Sequence, residues 1–244
     1  MENDLRIKPL TLYKSILLFS VPSVFFCFTA YIIIPYLNKK IGIHPALSWF
    51  YGGYMIFVPL FTLALILYRT ENREMTIKQI LERFRIKGLS KTDWKWTIIS
   101  AVLILLMTGC IMLLSKFLSY KLGIPELKTT PPFMKFQALI GYEKLYLFIW
   151  LPMFFFNIVG EEILWRGYIL PRQELQHGKY SWIINSFLWL EFHLCFGVDL
   201  LITLLPILFI IPFVAYNTKN TTIGIITHAL LNGPMFILVS LGVV

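Results

Sequence analysis

Long apolar runs, separated by short clusters of lysine and arginine, restrict the folds open to this chain more than any other feature. They lie at about 14–37, 47–68, 96–118, 145–170, 181–197, 199–216 and 222–243. A bilayer core of ~30 Å is crossed by about 20 consecutive apolar residues in a helix. Lipid offers no partner for backbone N–H and C=O groups, so a spanning segment is a helix or part of a closed barrel. These runs are continuous rather than alternating, which selects helices. Only 14% of the residues are charged and 57% are hydrophobic, whereas soluble domains carry about 25% charged residues. The expected fold is all-α: one integral membrane domain over residues 1–244, a polytopic bundle of about seven spans (six to eight). The Gly197-Val198-Asp199 join implies a tight hairpin, or a broken or tilted span. The first apolar run is too long for a signal-peptide core and has no small-residue cleavage site, so it reads as a retained span.

The net charge of +9 follows topology. Residues 69–95 hold eight of the 22 lysines and arginines, and cytoplasmic loops carry the excess of positive charge. With that connector inside, the N-terminus is cytoplasmic and the C-terminus outside. The inner side then holds 15 Lys and Arg and the outer side seven. The basic residues therefore point to lipid headgroups as partners, not to nucleic acid. Within the connector, Ile77, Ile80, Leu81 and Phe84 recur at helical spacing among charges, as in an amphipathic helix lying in the interface between spans two and three. Cys27, Cys110 and Cys195 all fall in apolar runs without CxxC spacing and read as small core residues.

Against this background the stretch "FNIVGEEILWRGYIL", residues 156–170, is costly. A charge at the centre of a spanning helix costs about 2.5–3.5 kcal/mol on insertion scales, and here are Glu161, Glu162 and Arg166. At ~100° per residue, Glu162 and Arg166 lie ~40° apart and can pair, whereas Glu161 lies ~140° from Arg166 and faces elsewhere. One glutamate is thus expected to be neutralised by Arg166 and the other to be free for chemistry or ligand binding. Later spans add His193 and His228, the latter with Asn232 four residues on and so on the same face. His228 and Asn232 read as two neutral donors able to hold an anion or a polarised carbonyl oxygen. Glu191, two residues before His193, is open to three readings: protonated, paired with another span, or lining a second cavity.

Three short patterns carry a resemblance. "EEILWR" matches EExxxR, "WLEFH" approximates FxxxH, and "HALLN" matches HxxxN, in this order and on successive spans. Together they resemble the CAAX protease and bacteriocin-processing family of intramembrane proteases, also called Abi or type II CAAX-prenyl endopeptidase-like. The resemblance covers residues 145–244, which would be the catalytic core. It departs from the pattern at Trp189, which stands in place of phenylalanine.

The resemblance implies an intramembrane endopeptidase in the cell membrane that cleaves a peptide bond near the cytoplasmic interface. It implies that Glu161 activates the attacking water with His193 as partner, a glutamate protease with no serine or cysteine nucleophile. By the same likeness His228 and Asn232 stabilise the oxyanion, and Glu162 and Arg166 support the site. The implied substrate is a peptide or protein, such as a prenylated CAAX protein or a leader peptide. No cofactor is expected. The alternative is a zinc-dependent protease whose ligands come from Glu161, Glu162, His193 and His228, although no HExxH is present. A proton-coupled transporter fits less well, because spans one to three hold no acidic residue. A non-proteolytic scaffold or immunity protein would retain the fold without turnover.

Overall fold

The computed structural model describes residues 7–71, 76–134 and 137–243. Among them all regular structure is helical, in the order α1 (Leu12–Phe28), a π-helical turn (Thr29–Ile33), α2 (Ile34–Lys39), α3 (Pro45–Arg69), α4 (Ile77–Arg83) and α5 (Lys91–Leu122). Then come α6 (Leu147–Glu162), a second π segment (Ile163–Ile169), α7 (Leu170–His177), α8 (Ser181–Phe192), α9 (Val198–Thr218) and α10 (Thr221–Ser240). Helices α1, α3, α4, α5 and α10 begin where a side chain satisfies a free backbone donor. Thr11 accepts from Lys14 N, and Ser90 forms a reciprocal capping box with Asp93 at the start of α5. Gly123, at φ +67°, closes that helix in the left-handed conformation which a Cβ disfavours.

Among the described residues six helical stretches are long and apolar enough to cross a membrane. One of them, Gly141–Phe192, has 52 residues. At 1.5 Å per residue it would reach ~78 Å, more than twice a bilayer core. It folds back instead at Gly178, where φ is +54°. Hydrogen bonds across the hairpin show the antiparallel pairing: Asn185 Nδ2 donates to Trp165 O at 3.2 Å and Trp189 Nε1 to Glu161 at 2.7 Å. That stretch therefore runs out and back, so the six stretches give seven antiparallel limbs among the described residues, in line with the seven runs of the sequence. Its second limb, α8, has only 12 residues, or ~18 Å. The turn after it is covered by Pro132, which lies against Gly197, and by Phe133, whose ring is 5.9 Å from that of Phe196.

The outer surface is itself apolar. Leu106, Leu113, Phe148 and Leu151 are all exposed, as suits side chains solvated by lipid tails rather than water. Cys110 lies on this surface and not in the core, a correction to its sequence reading; Cys195 is buried. The centre of the bundle is the α6–α7 limb, buried without a break from Gly160 to Gln173. Phe19 of α1 stacks on Trp165 at 4.0 Å, and Phe84, just past α4, packs against Gly167.

One end of the bundle gathers the basic connector. Arg85 forms a two-point ion pair with Glu174 at 2.7 and 2.9 Å, and Lys219 joins the same carboxylate at 2.8 Å. Glu71 pairs with Arg83 at 2.7 Å and with Arg172. Leu10 N donates to Arg172 O, so the first helix starts at this end too. The amphipathic helix in the connector forms over seven residues. Its apolar face is divided: Ile77 and Leu81 stay exposed, while Phe84 inserts into the bundle.

Candidate active site

Glu161 and Glu162 close α6 just where the chain passes into π-helical winding. A π segment adds a residue to the turn and is frequent at functional positions. Here it lies where neighbouring helices surround the limb on every side, so both carboxylates are fully buried, Glu161 at 1% exposure and Glu162 at 0%. They face different partners, as the helical angles require.

Glu162 Oε1 accepts a hydrogen bond from His228 Nδ1 at 3.0 Å. Its Oε2 lies 3.4 Å from Arg166 Nε, but neither atom has a hydrogen-bond partner among the described residues. The expected Glu162–Arg166 pair is thus present as a charge contact, and the hydrogen bond goes to His228. α10 can approach this closely because position 224 is glycine: a Cβ there would stand 2.6 Å from Glu162 Oε2. The Arg166 guanidinium lies over the Trp189 ring, 3.5 Å from its centroid, a cation–π contact.

Glu161 is not left free, which corrects the sequence expectation. Asn157 Nδ2 donates to Oε1 at 2.7 Å and Trp189 Nε1 donates to Oε2 at 2.7 Å. A carboxylate offers about four lone-pair positions, so two remain for another donor. Asn157 was not singled out from sequence. Its signal was its place four residues before Glu161 on the same helical face. Trp189 was noted as a larger aromatic, but its indole donor is invisible to a pattern that asks only for a ring.

His193 caps α8 at 8% exposure. Its Nδ1 lies 2.8 Å from Trp189 O; a carbonyl only accepts, so Nδ1 carries the hydrogen and Nε2 keeps a lone pair. The same logic applies to His228, whose Nδ1 donates to the Glu162 carboxylate. A neutral His228 therefore presents an acceptor at Nε2, and donates there only as the imidazolium that Glu162 would stabilise. Both imidazoles meet the Trp189 ring edge-on, each at 5.5 Å. Asn232, partly buried, sits one turn beyond His228 on α10.

Glu191 falls outside this group. Its carboxylate accepts from Ser20 Oγ at 2.5 Å and its carbonyl from Ser23 Oγ at 2.9 Å, so it ties α8 to α1. Of the three readings, pairing with another span is the one found. Among the described residues no three His, Cys, Asp or Glu side chains are grouped so as to hold a metal ion. The four zinc-ligand candidates instead divide between two sets of hydrogen bonds.

Fold and site together define a multi-pass helical membrane protein with a buried site of two glutamates, two histidines and an arginine around one indole. Residues 143–233 match the family model of type II CAAX prenyl endopeptidase Rce1-like proteins. The matched stretch includes Glu161, Glu162, Arg166, His193, His228 and Asn232. No curated protein and no solved structure matches the chain. In general terms the family match supports an intramembrane endopeptidase of the CAAX-protease type, a hydrolase of peptide bonds.

Proposed function

We propose that the protein cleaves a peptide bond within the membrane by a water that Glu161 deprotonates. The observation that carries this is the pairing of a buried carboxylate having lone pairs to spare with a histidine whose tautomer leaves Nε2 as an acceptor. A single water can donate one hydrogen to Glu161 and the other to His193 Nε2. Glu161 takes the proton as the water oxygen attacks the carbonyl carbon. The resulting oxyanion is met by Asn232 Nδ2–H and by His228 in its protonated form, with Glu162 balancing that charge. The proton then passes to the departing amine nitrogen as the C–N bond breaks. Donors aimed at developing charge in a dry site contribute about 2.7–4 kcal/mol each. Arg166 and Glu162 hold the arrangement and touch no reacting atom. No metal enters these steps.

The substrate class is a peptide reached through the lipid, either a prenylated CAAX protein or an unmodified leader peptide. The test offers both peptides to the purified protein and reads single-turnover cleavage by mass. Glu161→Gln keeps the shape and accepts from Trp189 but cannot take a proton, and should slow cleavage about 10²–10⁴-fold. A folded Glu161→Gln protein cleaving at more than about a tenth of the wild-type rate overturns the assignment of the base. Inhibition by a chelator, reversed by zinc, would favour metal-assisted chemistry instead.

A further inference from the structure

Trp189 touches Glu161, Arg166, His193 and His228. Its side chain donates to Glu161 Oε2, its ring carries the Arg166 guanidinium, and its carbonyl holds the His193 tautomer. The main-chain contact would survive any substitution at this position. The hydrogen bond to Glu161 depends on an indole N–H, which phenylalanine lacks. We propose that Trp189 is a positioning residue that holds the Glu161 carboxylate in its working orientation through this one N–H. The inference rests on the reading of Glu161 as the base.

The argument is geometric. Glu161 sits at the end of a flexible side chain, and its Oε1 is held from within its own helix by Asn157, one turn earlier. That contact alone leaves the carboxylate able to swing about its terminal bond. The second contact comes from another helix and from a rigid, fully buried ring, 1% exposed. Arg166 presses on one face of that ring and both imidazoles meet it edge-on, so the indole has little freedom to follow the carboxylate. With Oε2 held, the two remaining lone pairs point in set directions. An Oε2 without that donor would turn towards other partners, such as the Arg166 guanidinium.

The test separates the N–H from the ring. Trp189→Phe removes the donor but also much of the surface beneath Arg166. Replacing Trp189 by β-(3-benzothienyl)alanine keeps the ring shape and puts sulfur in place of N–H. Each is compared with wild type on whichever of the two peptides the wild-type protein cleaves. A hydrogen bond to a charged group is worth enough to predict a fall in kcat of about 10- to 100-fold, with KM unchanged within about twofold. The benzothienyl protein should remain folded, its melting temperature lower by about 3–12 °C.

A readout that needs no substrate accompanies the kinetics. In protein labelled with ¹⁵N-tryptophan, the resonance lost in Trp189→Phe should lie downfield and exchange slowly in wild type. It should move upfield in Glu161→Gln, where the acceptor is neutral. A benzothienyl variant as fast as wild type, or an indole resonance indifferent to Glu161→Gln, overturns the role given to Trp189. An active Glu161→Gln protein overturns the base assignment instead, so the two failures are distinguishable.

Discussion

Arg166→Ala is the perturbation the buried network is least able to absorb. Arg166 is 1% exposed, and its neighbours are the Glu162 carboxylate at 3.4 Å and the Trp189 ring at 3.5 Å. Removing it leaves the fully buried Glu162 carboxylate with Oε1 still on His228 and Oε2 facing no cation. Breaking a buried pair from one side costs about 3–5 kcal/mol, and a desolvated cation–π contact contributes about 2 kcal/mol of the total. For a chain of this size each kcal/mol moves the melting temperature by about 2–4 °C, so the fall should be ~6–20 °C. Cellular abundance should fall with it. Adding Glu162→Gln removes the stranded charge while its amide oxygen still accepts from His228. The double variant should therefore recover part of the loss, the remainder being the missing cation–π contact. Thermal unfolding in detergent measures both variants. A single variant that melts like wild type, or a double variant less stable than the single, refutes the assignment of Glu162 and Arg166 as mutually dependent.

Two further predictions concern the ends of the bundle. Cysteines placed singly at Lys87 and Val243, in a protein freed of Cys27, Cys110 and Cys195, should be labelled by an impermeant reagent from the cytoplasmic and the outer side respectively; labelling of both from outside refutes the orientation. Glu71, just past α3, is raised by burial, but Arg172 and Arg83 outweigh this and hold its carboxyl below the ordinary 4.5. A depressed carboxyl stabilises the fold fully above the unfolded value, and that stability is lost as pH falls through the folded one. Melting curves of wild type and Glu71→Gln should therefore differ at neutral pH and begin to converge only as pH falls below about 4.5, whereas a constant difference across that range would show that Glu71 does not act through its charge.

The passes, their order and the grouping of loops at each end were legible in the amino-acid order, because a lipid environment reads mean apolarity over about 20 residues. Such a signal is local and needs no tertiary contact. The angular division of Glu161 from Glu162 was legible for the same reason, since helical periodicity sets which side chains share a face. The partners across helices were not. His228 takes the hydrogen bond of Glu162 because position 224 carries no Cβ, a fact about the distance between α6 and α10. Trp189 reaches Glu161 because the chain reverses at Gly178 and brings residues 28 apart into contact. Glu191 could not be assigned from its own helix, because its partner Ser20 is 171 residues away. Helical spacing states which way a side chain points. Only packing decides what it meets there, and in a buried site the energy of a charge depends on what it meets.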